Sequence, residues 1–98
     1  MIFHPEARRE AMDAALYYER QEAGLGDRFS DAIEAGLRQI QRSPFMWRCI
    51  RGDSRRFLVK TFPYGIVYLP MEENLFVLAV MHLHREPDYW RKRLRDLP

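Results

Sequence analysis

The chain lacks cysteine pairs, long apolar runs and repeats. Its 98 residues include one cysteine, Cys49, so no internal disulfide can form, and a reducing cytoplasm is the expected compartment. A lone small thiol of this kind is expected to be buried and inert rather than nucleophilic. No apolar stretch approaches the roughly 20 residues needed to cross a bilayer; the longest, residues 75–81, has the length of a strand. The opening Met1-Ile2-Phe3-His4-Pro5-Glu6 has neither the basic nor the apolar region of a secretory leader, and none is expected. There is no low-complexity segment, no glycine-rich phosphate loop and no nucleophile elbow.

The sequence does have the means to build one core. Hydrophobic residues make up 47% and aromatics 13%, which sets the chain apart from disordered tails and fits a single domain. The net charge of +2 hides a segregation. Residues 1–41 carry 5 basic and 8 acidic side chains, whereas residues 42–62 carry 6 basic and one acidic. Residues 85–98 add a second basic block, 5 against 3. Such a pattern fits either a cationic face for a polyanion or acidic partner, or simply a well-solvated surface.

Ile2-Phe3 is long enough only for a short strand. Pro5 suits the first position of a helix, and Glu6 and Glu10 favour that helix N-terminus electrostatically. Ala7, Ala11, Ala14 and Tyr18 recur at helical spacing, and their small size predicts close packing. Gly24-Leu25-Gly26 breaks the pattern. Leu25, Phe29, Ile33, Leu37 and Ile40 then form a second helical stripe, which Ser43-Pro44 ends. Two amphipathic helices on a short link predict an antiparallel hairpin. Residues 56–62 read as a strand, 62–65 as a turn or bulge, 66–69 as a strand and 70–74 as a turn. Residues 75–83, nearly all apolar, read as a strand buried on both faces. Residues 88–97 close the chain as a short basic helix or ordered tail. The fold class is therefore α+β: a helical hairpin packed in two layers on a small antiparallel sheet.

Two regions carry candidate chemistry. In the first, Arg48, Arg51, Arg55, Arg56 and Lys60 are interleaved with Phe45, Trp47, Phe57 and Phe62. On a strand Arg56, Leu58 and Lys60 share one face. A cationic face with aromatics suits single-stranded nucleic acid; equally, the aromatics can be core and the arginines solvated. In the second, His82, Arg85 and Tyr89 lie within eight positions of one another, followed by Arg91 and Arg93. Cleavage of RNA through its 2′-hydroxyl needs a base, an acid and cations around the phosphorane. His82 or Tyr89 could transfer protons, and Arg56 and Arg85 could hold the phosphate. The alternative is that His82 is a hydrogen-bonded strand residue and that Tyr89 and Trp90 anchor the tail. His82-x-His84 could begin a metal site with Glu86, His4 or Cys49, but no local spacing supports one, so neither a metal nor any other cofactor is expected.

Taken together, Tyr17-Tyr18-Glu19, Gly24-Leu25-Gly26, Phe29, Ile40, Pro44, Arg56, the run Phe62-Pro63-Tyr64-Gly65-Ile66-Val67-Tyr68, Val77-Leu78-Ala79-Val80-Met81-His82, Arg85-Glu86-Pro87-Asp88-Tyr89-Trp90 and Arg93 resemble, in order and spacing over nearly the whole chain, the RelE/ParE toxins of type II toxin–antitoxin (plasmid stabilisation) systems. The resemblance implies a small cytoplasmic bacterial toxin, without a membrane role, neutralised by a cognate antitoxin laid on the hairpin and the sheet edge. It implies one of two targets. Members of one branch cleave mRNA in the ribosomal A site, which would make Arg56, His82, Arg85 and Tyr89 the catalytic set. Members of the other bind DNA gyrase without a complete catalytic set; Ala79-Val80-Met81-His82 and Arg85-Glu86-Pro87 resemble these more. Arg48, Arg51, Arg55, Lys60, Arg91 and Arg93 would then contact the target. A degenerate toxin that only binds its antitoxin is the third reading.

Overall fold

In a computed structural model that describes all 98 residues, helix α1 (Pro5–Gln21) begins at a polar cap that its own sequence supplies. His4 Nδ1 accepts the Glu6 N–H at 3.0 Å, and Pro5 takes the first helical position. The hairpin link turns on Gly24, whose φ of +88° needs no Cβ. The Glu19 carboxylate accepts the Gly24 and Gly26 N–H groups and seals the start of α2 (Leu25–Arg42).

The sheet has five strands: β1 (Ile2–Phe3), β2 (Arg48–Arg51), β3 (Ser54–Leu58), β4 (Tyr64–Pro70) and β5 (Leu75–His82), in the order β1-β5-β4-β3-β2. Strands β2 to β5 form the expected antiparallel sheet, and β1 adds a parallel edge beside β5. Strand β2 was not expected. Strand β3 stops at Leu58 rather than running to residue 62, because the chain turns at Thr61, a β-branched residue at φ +70°. Lys60 therefore lies beyond the strand and does not share the face of Arg56 as expected. Cys49 is exposed on β2 rather than buried.

A bulge lies where β4 meets β5. Val67 pairs with Ala79 and Tyr68 with Val77, leaving Leu78 as the extra residue. The bulge matters because it reverses which backbone groups of β5 face the β1 side.

Both faces of the sheet are covered. Phe29, Ile33, Leu37 and Ile40 of α2 pack with Ala7 and Ala14 of α1 on Phe57, Ile66, Tyr68, Val77 and Val80. Each fully buried Phe, Leu, Ile or Val side chain contributes roughly 1.5–3 kcal/mol. On the opposite face, Val67, Phe76, Leu78, Ala79 and Met81 are covered by Trp90, with Leu94 and Leu97 beside it. Trp90 is fully buried, and residues 91–96 form a short 3₁₀ helix. The C-terminal tail thus makes a thin third layer, which is why β5 is buried at all but its last position.

Candidate functional site

Strand β1 is two residues long, so it pairs with only the first part of β5. Past it, β5 presents the Leu78 carbonyl and the Val80 N–H to an edge with no strand. Two side chains take the place of the missing strand. Glu10 of α1 accepts the Val80 N–H at 3.0 Å, and Arg93 of the tail donates to the Leu78 carbonyl at 2.9 Å. The two join each other through a two-pronged ion pair, at 2.8 and 3.0 Å. Their side chains are only 14% and 13% exposed.

Glu10 gathers two more of the candidate residues. Tyr89 donates its hydroxyl to Glu10 at 2.6 Å, and Arg85 approaches the same carboxylate at 3.4 Å while its guanidinium lies 3.6 Å from the centre of the Tyr89 ring. Burial and the Glu10 hydrogen bond push the Tyr89 pKa well above the ordinary phenol value. Burial works against the Arg93 charge, but its bonds to Glu10 outweigh that and raise its pKa. Tyr89 is therefore a fixed proton donor to Glu10 at neutral pH, and Arg93 a permanent cation. Glu10, the centre of this cluster, was read from sequence only as a favourable charge at a helix end. Its position between Ala7 and Ala14, on the buried stripe itself, was the signal that it faces inward.

The other candidates lie elsewhere. His82 is at the end of β5 on the helix side, where its ring meets that of Tyr64 edge-on and its Nδ1 accepts the His84 N–H. It shares a shallow recess with Arg85, Glu10, Asp13 and Tyr17. Arg56 is on the opposite face, in a cleft with Arg48, Ile50, Pro87 and Asp88. Arg51 pairs with Asp88 at 3.2 Å. Arg55 points to the helix side, where it donates to the Phe45 and Trp47 carbonyls. Arg91 and Lys60 are exposed. Three of the aromatics of the basic block pack inward, Trp47 on Phe57 and Phe62 on Tyr18 and Phe29, whereas Phe45 stays exposed under the Arg55 guanidinium. The structure thus joins Arg85, Tyr89 and Arg93 around Glu10, brings His82 to the rim, and places Arg56 on the opposite face of the sheet from His82. No three His, Cys, Asp or Glu side chains converge as metal ligands.

A second feature lies along the hairpin, where Phe3 of β1 adjoins it. An open groove of about 480 Å³ runs between α1 and α2, lined by Ala11, Met12, Ala15, Leu16, Ile33 and Leu37 among others. Met12 and Leu16 are 61% and 53% exposed along it.

The family model of the ParE toxin of type II toxin–antitoxin systems, parDE, matches residues 1–87. No curated protein matches the chain in sequence. Among solved structures, a chain of the chromosomal ParDE TA system from P. aeruginosa has the same fold. It superposes with a TM-score of 0.61 over 84% of this chain and 92% of that one, at 8% identity. Fold and sequence together define a small α+β toxin of a type II toxin–antitoxin system. The chain belongs to the ParE toxin family, and membership of such a system implies a cognate antitoxin as its partner. None of its helices is long and apolar enough to cross a membrane.

Proposed function

We propose that this chain arrests bacterial growth in the cytoplasm by binding DNA gyrase, and that its cognate antitoxin neutralises it by laying an amphipathic segment in the groove between α1 and α2. The observation that carries the first part is that Tyr89 and Arg93 are committed to Glu10 and that Arg56 lies on the opposite face from His82. RNA cleavage needs a base, an acid and phosphate-holding cations around one phosphorus. Here Tyr89 is committed as a donor to Glu10, Arg93 caps β5, and Arg56 lies across the sheet from His82. A toxin built this way acts through a binding surface. The groove supports the second part: exposed Met12 and Leu16 offer apolar area that a partner helix can cover.

Brief induction of the chain alone, with mapping of transcript 5′ ends, tests the toxin reading. Growth arrest with intact transcripts is expected. New ends within translated codons, lost with Arg85→Ala, would replace this reading with a ribosome-dependent RNase, and no arrest at all would leave only an antitoxin-binding module. Leu16→Asp, at an exposed position, is expected to leave the toxin folded and to weaken antitoxin binding. Unchanged affinity would remove the groove from the interface.

A further inference from the structure

The link from α2 to β2 is held unusually firmly. The hydroxyl of Tyr68, a fully buried residue, donates to the Pro44 carbonyl at 2.7 Å. Arg55 donates to the Phe45 carbonyl at 2.9 Å and to the Trp47 carbonyl at 2.7 Å. Its guanidinium also lies 5.3 Å from the centre of the Phe45 ring, and Trp47 packs on Phe57. Yet Phe45 and Met46, inside this pinned segment, are each 70% exposed, more than any other large hydrophobic residue of the chain. The three hydrogen bonds end on backbone carbonyls, which polar residues at 45 and 46 would supply equally well. Folding alone therefore gives no reason for two adjacent apolar side chains in water.

The surroundings give one. Phe45 lines an open recess of about 410 Å³ with Met1, Pro44, Pro70, Met71 and Leu75. The same recess takes in the turn between β4 and β5, which reciprocal backbone bonds between Met71 and Asn74 close at 2.8 and 3.3 Å. That closure places Glu72 and Glu73 at the two tip positions, both exposed. Neither carboxylate meets a cation, and no basic side chain lines the recess. This end of the sheet thus combines a rigid apolar knob, an apolar floor and two unneutralised negative charges. It shares no lining residue with the groove between α1 and α2.

We propose that this end of the sheet docks a cationic, amphipathic segment of a partner protein, with Phe45 and Met46 as apolar anchors and Glu72 and Glu73 as the seats of its Lys or Arg side chains. A pinned aromatic loses little freedom on binding, and a methionine thioether adapts to the shape of an apolar partner. The two carboxylates select positive charge and steer its approach, while they repel nucleic acid and acidic segments. The site does not depend on whether gyrase is the toxin's target.

The full chain can be titrated, by fluorescence anisotropy, against a labelled, end-blocked amphipathic peptide of lysine and leucine and against the same peptide with glutamate for lysine. The lysine peptide is expected to bind, more weakly as salt rises, and to shift the amide resonances of Phe45, Met46 and residues 71–74. Phe45→Ser should weaken it about tenfold, and Glu72→Gln combined with Glu73→Gln about as much. The thermal midpoint should barely move, because these positions are exposed; Met46→Ser repeats the test without touching the Arg55 contact. Antitoxin affinity should be unchanged in every variant. No binding, equal binding of the glutamate peptide, shifts confined to the acidic residues of α1 and α2, or indifference to both serine substitutions would each overturn the proposal. So would loss of antitoxin affinity in Phe45→Ser, which assigns the patch to the antitoxin, or self-association that Phe45→Ser abolishes, which assigns it to a second copy.

Discussion

Replacing Glu10 with alanine is the sharpest test of how the tail is held. The carboxylate satisfies the Val80 N–H, the Tyr89 hydroxyl and both Arg93 nitrogens. Its removal leaves Arg93, 13% exposed, as a largely buried cation with the Leu78 carbonyl but no counter-charge. Breaking a buried pair from one side costs about 3–5 kcal/mol, and the orphaned Val80 N–H adds to that. Total stability for a domain of this size is roughly 5–15 kcal/mol. At about 4–8 °C per kcal/mol, the thermal midpoint should fall by at least about 12 °C. Circular dichroism melts and urea titrations measure this directly. Two controls separate the causes. Glu6→Ala breaks only an exposed contact to Arg9 at 3.7 Å and should cost under about 1 kcal/mol. Glu10→Leu combined with Arg93→Met removes both charges and should recover part of the loss, because the penalty lies in the unpaired charge. A Glu10→Ala protein within about 1 kcal/mol of the parent would refute the claim that this pair replaces a strand at the β5 edge.

Three further outcomes are expected. Burial pushes the Tyr68 pKa up to about 12, so the unfolded chain loses that proton near pH 10 while the fold keeps it. The Tyr68 contribution is complete below pH 10 and is lost, at up to ~1.4 kcal/mol per pH unit, between about pH 10 and 12; Tyr68→Phe should make that part of the stability curve shallower, leaving the slope that the raised Tyr89 pKa contributes, while losing the bond to the Pro44 carbonyl at 2.7 Å. Gly36→Ala should destabilise by about 1–3 kcal/mol in urea titrations, because its Cβ would come within 2.8 Å of the Phe57 ring where α2 lies on the sheet. Val80→Asp should prevent folding, since an unpaired buried charge costs several kcal/mol; a soluble, cooperatively melting variant would contradict the burial of β5.

The helices and β5 were legible because each has a strong one-dimensional pattern. Leu25, Phe29, Ile33, Leu37 and Ile40 mark one face of α2, and residues 75–81 form an unbroken apolar run. Strand β2 was missed because Arg48-Cys49-Ile50-Arg51 has charges at both ends and little β propensity, though Gly52-Asp53 after it was a usable turn signal: Gly52 does take a positive φ. The parallel pairing of β1 depends on the crossover through both helices and the later strands, which no local pattern reports. The candidate site divides in the same way. Arg85, Tyr89 and Arg93 stood out by type and proximity, but their meeting point, Glu10, lies some eighty residues away in sequence, and the split between Arg56 and His82 follows from the register of Arg56 with Val67 and from the bulge at Leu78, which no local pattern reports.

The central claim, a toxin that acts by binding gyrase rather than by acid/base chemistry, is tested most directly by adding the purified chain to a DNA gyrase supercoiling reaction. Inhibition that His82→Gln leaves intact and that antitoxin relieves is the predicted result. Full supercoiling in the presence of folded toxin, at concentrations that arrest growth in cells, would contradict it.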